Sequence, residues 1–301
     1  MFLNLGCRRQ HDFATANDLL EGLLDWYSKT AAESGRMRSK SRLFPQAQRR
    51  RSDSALESGS VSIIIPVWRE SAASLEIVRA AAEWPEVREI IISAAEDHGS
   101  FGEAAEAAGA CWISSSAPNR GRQLNLGARL AHGEWLLFQH ADTELTRAHV
   151  QALAALTCRA EIVGGAFYRH FDARHPHCRW MEPIERWHNR TFGALYGDQS
   201  LFVRREHFAA LGGFADIPLM EDVEFSRRLR RSGPLALLDP PIASSPRKHL
   251  AQGAWKTTVQ NAALILLYKL GVPPARLHAW YYGPRETASI PSPNLIEAHE
   301  E

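Results

Sequence analysis

The sequence predicts an α/β fold: a mainly parallel sheet flanked by helices. Two observations carry this. Short apolar runs alternate with amphipathic helical stretches along residues 61–139, and the runs are apolar on both faces, as strands covered on both sides must be. Val61–Pro66 (VSIIIP) is a compact β-branched run, too short for a helix, and reads as a buried strand. Residues 74–84 have helical spacing, with Leu75, Val78 and Ala82 on one face. Glu89–Ser93 is the second strand, residues 101–108 a helix, and Cys111–Ser114 the third strand. Residues 123–131 form the next helix, and Glu134–Gln139 (EWLLFQ) the fourth strand.

Composition bounds the rest. Hydrophobic residues make up 45% and charged residues 23% of the 301 positions, which excludes wholesale disorder and fibrous structure. Lys plus Arg total 35 against 34 acids, a net charge of +1, which argues against a dedicated nucleic-acid binder. Cys7, Cys111, Cys158 and Cys178 are far apart and form no CxxC pair, as expected in a reducing compartment. No apolar run approaches the roughly 18 residues that a membrane-crossing helix needs. The first residues lack the apolar core of a secretory signal, so a cytoplasmic location is expected.

The composition changes near residue 60. Residues 36–51 carry seven basic side chains and no acid, and a Ser-rich stretch follows. Such a segment buries too little apolar surface to offset the entropy of ordering, so a flexible linker is expected. Before it, Leu19, Leu20, Leu23, Leu24 and Trp26 suggest a short amphipathic helix over 16–27. The expected organisation is an N-terminal extension over 1–60, an α/β domain over 61–285, and a flexible tail over 286–301. Residues 254–270 read as a further helix with Val259, Ala263, Leu266, Leu267 and Leu270 on its apolar side, ended by Gly271-Val-Pro-Pro274. That side either packs on the main domain or touches a membrane surface.

In parallel sheets ligands bind beyond the carboxyl ends of the strands, so the polar residues there are the candidates. Pro66-Val-Trp-Arg-Glu70 follows the first strand, Asn119-Arg-Gly-Arg-Gln123 the third, and His140-Ala-Asp-Thr143 the fourth. Arg120 and Arg122 open a helix, where free N–H groups and the dipole favour an anion such as phosphate; a solvated loop is the alternative. Asp142, at the end of a rigid strand, suits Mg²⁺ or Mn²⁺, which bind one or two carboxylates together with substrate phosphates; a helix cap is the alternative. Glu221 and Asp222 begin the stretch MEDVEFSRRLRR, which complements a helix dipole and carries Phe225 and Leu229 as an apolar stripe. They are either first-turn acids or a general base, because a helix N-terminus favours the ionised form a base needs. His175-Pro-His-Cys178 lacks a second ligand cluster for zinc, and no serine sits in a nucleophile elbow.

The segments VSIIIPVWRE, PNRGRQLNLGA, FQHADT, YGDQSLFVRR with LGGF, and MEDVEFSRRLRR follow one another in the order seen in family 2 glycosyltransferases. The chain resembles that family over about residues 61–282, and within it the radical-SAM/selenodomain-associated branch. The resemblance implies a GT-A fold and inverting transfer of a sugar from a nucleotide-diphosphate donor, with Mg²⁺ or Mn²⁺, to a small-molecule, lipid or glycan acceptor. It implies donor contacts from Pro66, Glu70, Arg120, Arg122 and Gln123, and metal binding by Asp142, with His140 and His249 as further ligands. It also implies that Asp222 is the catalytic base with Glu221 beside it, and that Gly197, Asp198 and Gln199 lie on the acceptor side.

Two positions depart from the family pattern. The second strand ends in Ala94 where an Asp is usual, so Glu96 or Asp97 must take its place. His140 replaces the first acid of the DxD-type motif. A sugar nucleotidyltransferase would carry a glycine-rich loop after the first strand, and PVWRESAAS has none. A non-catalytic sugar-nucleotide-binding protein is the other alternative, motivated by Ala94 and opposed by the presence of both Asp142 and Asp222.

Overall fold

β1 (Val61–Val67) is central because its side chains on both faces are apolar: Ile63, Ile64 and Ile65 are all fully buried. Removing each from water contributes about 1.5–3 kcal/mol. The structure is a computed structural model and describes residues 59–68, 72–95, 99–115, 118–140, 143–171, 195–244 and 254–283. The expected helix over 16–27, most of the N-terminal extension and the C-terminal tail lie outside these residues.

β1 pairs in parallel with β2 (Val87–Ala94) on one side and β4 (Trp135–Phe138) on the other. β3 (Cys111–Ser114) extends the sheet beyond β2. β5 (Gly164–Phe171), β6 (Phe202–Arg204) and β7 (Leu235–Ser244) complete a seven-stranded sheet of order β3-β2-β1-β4-β6-β5-β7, in which β6 alone runs against the rest. The four strands expected from the sequence are present, and the other three add an edge it did not predict.

One face is covered by α1 (Ala72–Ala81), α2 (Ser100–Ala107) and α4 (Arg147–Ala154), through Val78, Ala105 and Leu153 packed on Ile63, Ile65 and Ile92. The opposite face is covered by α3 (Arg120–Leu130), α5 (Arg205–Ala210) and α6 (Glu221–Ser232), through Leu124, Phe208, Phe225 and Leu229 packed on Ile64, Leu136 and Phe138. Phe225 and Leu229, the expected stripe of α6, are fully buried.

α7 (Ala254–Lys269) and α8 (Pro274–Tyr282) form a helical pair whose Leu264 and Leu277 pack with Met220. Here the sequence expectation needs correcting. Leu264, Leu267 and Tyr268 are the inward side of α7, while Val259, Leu266 and Leu270 are 63%, 57% and 58% exposed. The helix is apolar around more than one face, so its periodicity could not single out the packed one.

The chain runs from β1 to β2 to β3 on one side, then crosses back to β4 on the other. The crevice between the carboxyl ends of β1 and β4 is therefore the point where strand order reverses. Pro66 marks it. The main-chain N–H of Gln139 donates to the carbonyl of Ile64 at 2.9 Å, after which β4 ends. Two residues further along β1, Pro66 faces the same side and has no N–H to continue the ladder.

Candidate active site

α3 begins at the carboxyl edge of the sheet. Asn119 caps it, its Oδ1 accepting the Arg122 N–H at 2.9 Å, as Asn does at a helix start. The first turn carries three of the expected donor contacts, and the structure sends them in three directions.

Gln123 turns inward. It is buried, and its Nε2 donates to the carbonyls of Val67 and Ser93, both at 2.8 Å. Both amide hydrogens are thus committed to main-chain oxygens, and the side chain ties the ends of β1 and β2 to α3. That makes it a brace under the crevice. Arg122 turns outward and grips Asp216 through two parallel bonds of 2.6 and 2.7 Å. The Asp216 bonds are the main reason its pKa is raised. With side chains 40% and 58% exposed, this pair is worth only about 0–1 kcal/mol and is readily exchanged.

Arg120 turns toward α6. Its Nη1 donates to Glu221 Oε1 at 3.0 Å and lies 4.0 Å from Asp222 Oδ2. Burial works against the charge of this guanidinium, but Glu221, Asp222 and Asp198 more than offset it, and its pKa is shifted upward. Glu221 is 7% exposed in its side chain. Burial, followed by the proximity of Asp222, raises its carboxyl above the ordinary carboxylate value, with Arg120 opposing both.

Asp222 is the more accessible of the two acids, with a side chain 20% exposed. Both of its oxygens accept main-chain N–H groups, Oδ2 from Gly197 and Oδ1 from Val223, each at 2.7 Å. The residue before the pair, Met220, sits at φ 69°, in the left-handed region that an unstrained L-residue avoids. Strain of this kind persists only where the surroundings over-determine it, here through Leu264 and Leu277 against the Met220 side chain.

The YGDQS segment completes the cluster. Gly197–Gln199 is a single 3-10 turn, and a Cβ at Gly197 would lie 2.3–2.7 Å from the Arg120 guanidinium, so only glycine lets the two approach. Asp198 pairs through Oδ2 with Arg169 of β5, while its Oδ1 is buried with no hydrogen-bond partner. Gln199 is buried and closes the turn through its Oε1, which accepts the Tyr196 N–H at 2.9 Å.

His140 stands at the end of β4. Glu70, Glu96, Asp97, Asp142 and His249 lie outside the described residues. β2 ends where the sequence suggested, with Ala94 fully buried and no acid at its end. Among the described residues no three His, Cys, Asp or Glu side chains gather as a metal site.

Sequence reasoning missed Gln139, Arg169, Ser200 and Asp216. Of these only Gln139 carried a signal, as a polar residue at the end of an apolar strand and directly before His140.

The structure brings together Arg120, Gly197, Asp198, Glu221 and Asp222, drawn from three segments of the chain. A mostly parallel sheet flanked by helices, with a crevice at the point of strand reversal, is a doubly wound α/β arrangement, and the matches to known proteins make it a GT-A fold. Residues 62–211, about half of the chain, match the model of glycosyl transferase family 2, so the chain carries a domain of that family. Solved structures agree on the fold. Residues 1–349 of TarS from S. aureus match with a TM-score of 0.51 at 12% identity, over 74% of this chain and 70% of that one. Glucosyl-3-phosphoglycerate synthase from Mycobacterium tuberculosis, in complex with phosphoglyceric acid, matches with 0.52 at 17% identity, over 72% and 84%. The same enzyme in complex with Mn²⁺, uridine diphosphate and glucosyl-3-phosphoglycerate matches with 0.51 at 17%, over 75% and 88%. At these identities the likeness is one of fold. No curated protein matches the chain.

Proposed function

We propose that this protein is an inverting glycosyltransferase. It moves a sugar from a nucleotide-diphosphate donor to a hydroxyl acceptor, with Asp222 as the general base. One observation carries the reading: a partly exposed carboxylate held at both oxygens by main-chain N–H groups, beside a half-buried Arg–Glu pair. A base must be fixed to within a few tenths of an ångström, and backbone donors fix it without side-chain freedom.

In the reaction the acceptor oxygen attacks the anomeric carbon from the face opposite the diphosphate. The new C–O bond forms as the old one breaks, the bond electrons leave with the nucleoside diphosphate, and Asp222 takes the hydroxyl proton. Arg122 is the better candidate for the diphosphate, because its exposed pair with Asp216 is cheaply given up. Arg120 instead serves the acids of α6.

The residue types assigned to the ion, a carboxylate with imidazoles, suit Mn²⁺ as well as Mg²⁺. In this reading Asp142 and His140 hold the ion, with His249 as a further ligand. When bound, it would neutralise charge developing on the leaving diphosphate. Glucosyl-3-phosphoglycerate synthase, with Mn²⁺ and uridine diphosphate in its complex, supports the same use here. Glu70 and Glu96 or Asp97 are assigned to the nucleoside. The HADT segment supports a place in the radical-SAM/selenodomain-associated branch.

A lipid acceptor, with membrane-peripheral attachment, is supported by one further feature. No described helix is long and apolar enough to cross a membrane. Yet Leu266, Leu270, Trp280 and Tyr282 are exposed on the helical pair whose inner side packs on Met220, next to Glu221. Exposed aliphatic and aromatic side chains together suit an interface. Flotation with anionic vesicles tests it, and absence of association removes it.

The central reading is tested by calorimetry of nucleoside diphosphate binding with Mn²⁺ or Mg²⁺, with and without chelator. Binding that depends on the metal supports it, and metal-independent binding counts against Asp142 as a ligand. A thermal-shift screen of nucleotide sugars with Mn²⁺ then identifies the donor.

A further inference from the structure

One short strap, Leu195–Leu201, touches both halves of the cleft. On the α6 side the Leu195 N–H donates to Ser226 Oγ at 2.9 Å, and the Gly197 N–H donates to Asp222 Oδ2 at 2.7 Å. On the β4 side the carbonyl of Leu201 accepts the Phe138 N–H at 2.8 Å, and Ser200 Oγ donates to Gln139 Oε1 at 2.7 Å. Gln139 is fully buried, and its Nε2 donates onward to the carbonyls of His140 at 3.1 Å and Thr143 at 2.7 Å. A single amide thus fastens the strap and both ends of the turn after β4.

Ser200 makes this connection at φ 49°, in the left-handed region where glycine would be the unstrained choice. What glycine cannot supply is the hydroxyl, and Ser200 is fully buried with that hydroxyl bonded to Gln139. A strained L-residue retained for one hydrogen bond, three positions from the N–H that holds Asp222, indicates a positional role.

We propose that Ser200 and Gln139 are positioning residues that fix the Asp222 carboxylate relative to the carboxyl end of β4. They act through the strap and touch no reacting atom. The proposal rests on Asp222 as the base, but its structural half stands separately. If the Ser200–Gln139 bond is lost, the strap keeps its ends and the Asp198–Arg169 pair but loses its side-chain tie to the end of β4, and the Gly197 N–H shifts relative to Asp222.

Two substitutions separate position from stability. Ser200→Ala removes the hydroxyl and keeps the strained backbone, whereas Ser200→Gly removes the hydroxyl and relieves the strain. Ser200→Gly is therefore expected to melt above Ser200→Ala, yet both should lose kcat by about tenfold to a hundredfold at unchanged donor KM. A structural role alone would let Ser200→Gly work like the wild type, and that result overturns the proposal.

Amide hydrogen exchange on the substrate-free protein supplies the independent arm. Both variants should exchange faster at residues 196–201 and in the first turn of α6, with the sheet core unchanged. Unchanged exchange in those segments overturns the coupling, whatever the activity. If the wild type turns over no nucleotide sugar while the exchange result holds, the functional reading fails and the coupling survives.

Discussion

The guanidinium of Arg120 and the carboxylate of Glu221 meet at 3.0 Å across 101 positions of sequence, and they do so against the backbone of Gly197. This contact joins the first turn of α3, the first turn of α6 and the YGDQS turn into one cluster. It sits beside Asp222, the more exposed carboxylate of the α6 pair.

Gly197 is the point where this cluster is most sensitive. Replacing it with alanine puts a methyl group 2.3–2.7 Å from the Arg120 guanidinium, which is the mobile end of a long side chain. The arginine can swing away, so Gly197→Ala is expected to cost stability only modestly, about 1–3 kcal/mol as in other overpacked sites. Turnover should fall much further, because the displaced arginine no longer holds Glu221. Thermal melts alongside transfer rates check this, and a variant with wild-type turnover would show that Arg120 does not need its present place.

The two arginines of α3 should separate by assay. Arg122→Ala is expected to weaken nucleoside diphosphate binding by about tenfold, the scale of one charge-assisted hydrogen bond lost. Asp216→Asn, which frees Arg122 from its exposed pair, should leave affinity equal or tighter. Calorimetry on the two variants decides it, and weaker binding by Asp216→Asn would place the diphosphate elsewhere.

Glu221 makes stability depend on pH in a definite direction. Its carboxyl is raised above 4.5, first by burial and then by Asp222. The folded protein therefore holds this proton more tightly than the unfolded chain does. The resulting stabilisation is full below 4.5 and is lost as pH rises through the higher folded value. Glu221→Gln removes the titration, so its melting temperature minus that of the wild type should increase as pH rises from about 4.5. A difference that shrinks with rising pH would mean that Arg120 outweighs burial.

The parallel half of the fold was legible because its strands are apolar on both faces, β-branched in Val61–Val67 and built of Trp, Leu and Phe in Trp135–Phe138. β5, β6 and β7 were not. β5 opens with two glycines, β6 has three residues, and β7 contains Pro240 and Pro241, which only an edge strand accommodates. At the site, the acids of α6 were legible from their place before a dipole-complementing helix. The partners that orient them were not, because Arg120, Arg122 and Gln123 are near neighbours whose side chains leave the helix in different directions. Asp216 and Ser200 reach the cleft only through the folded chain, and nothing in their local sequence signals it.

The account turns on Asp222 as the base, and its conservative replacement tests that most directly. Asp222→Asn keeps the shape and removes the charge. The measurement is nucleoside diphosphate affinity and nucleotide-sugar turnover on the same preparation. Affinity should stay within about twofold while turnover falls by about a hundredfold or more, the contribution of a positioned general base. Turnover that survives the substitution would contradict the account and place the base on another residue.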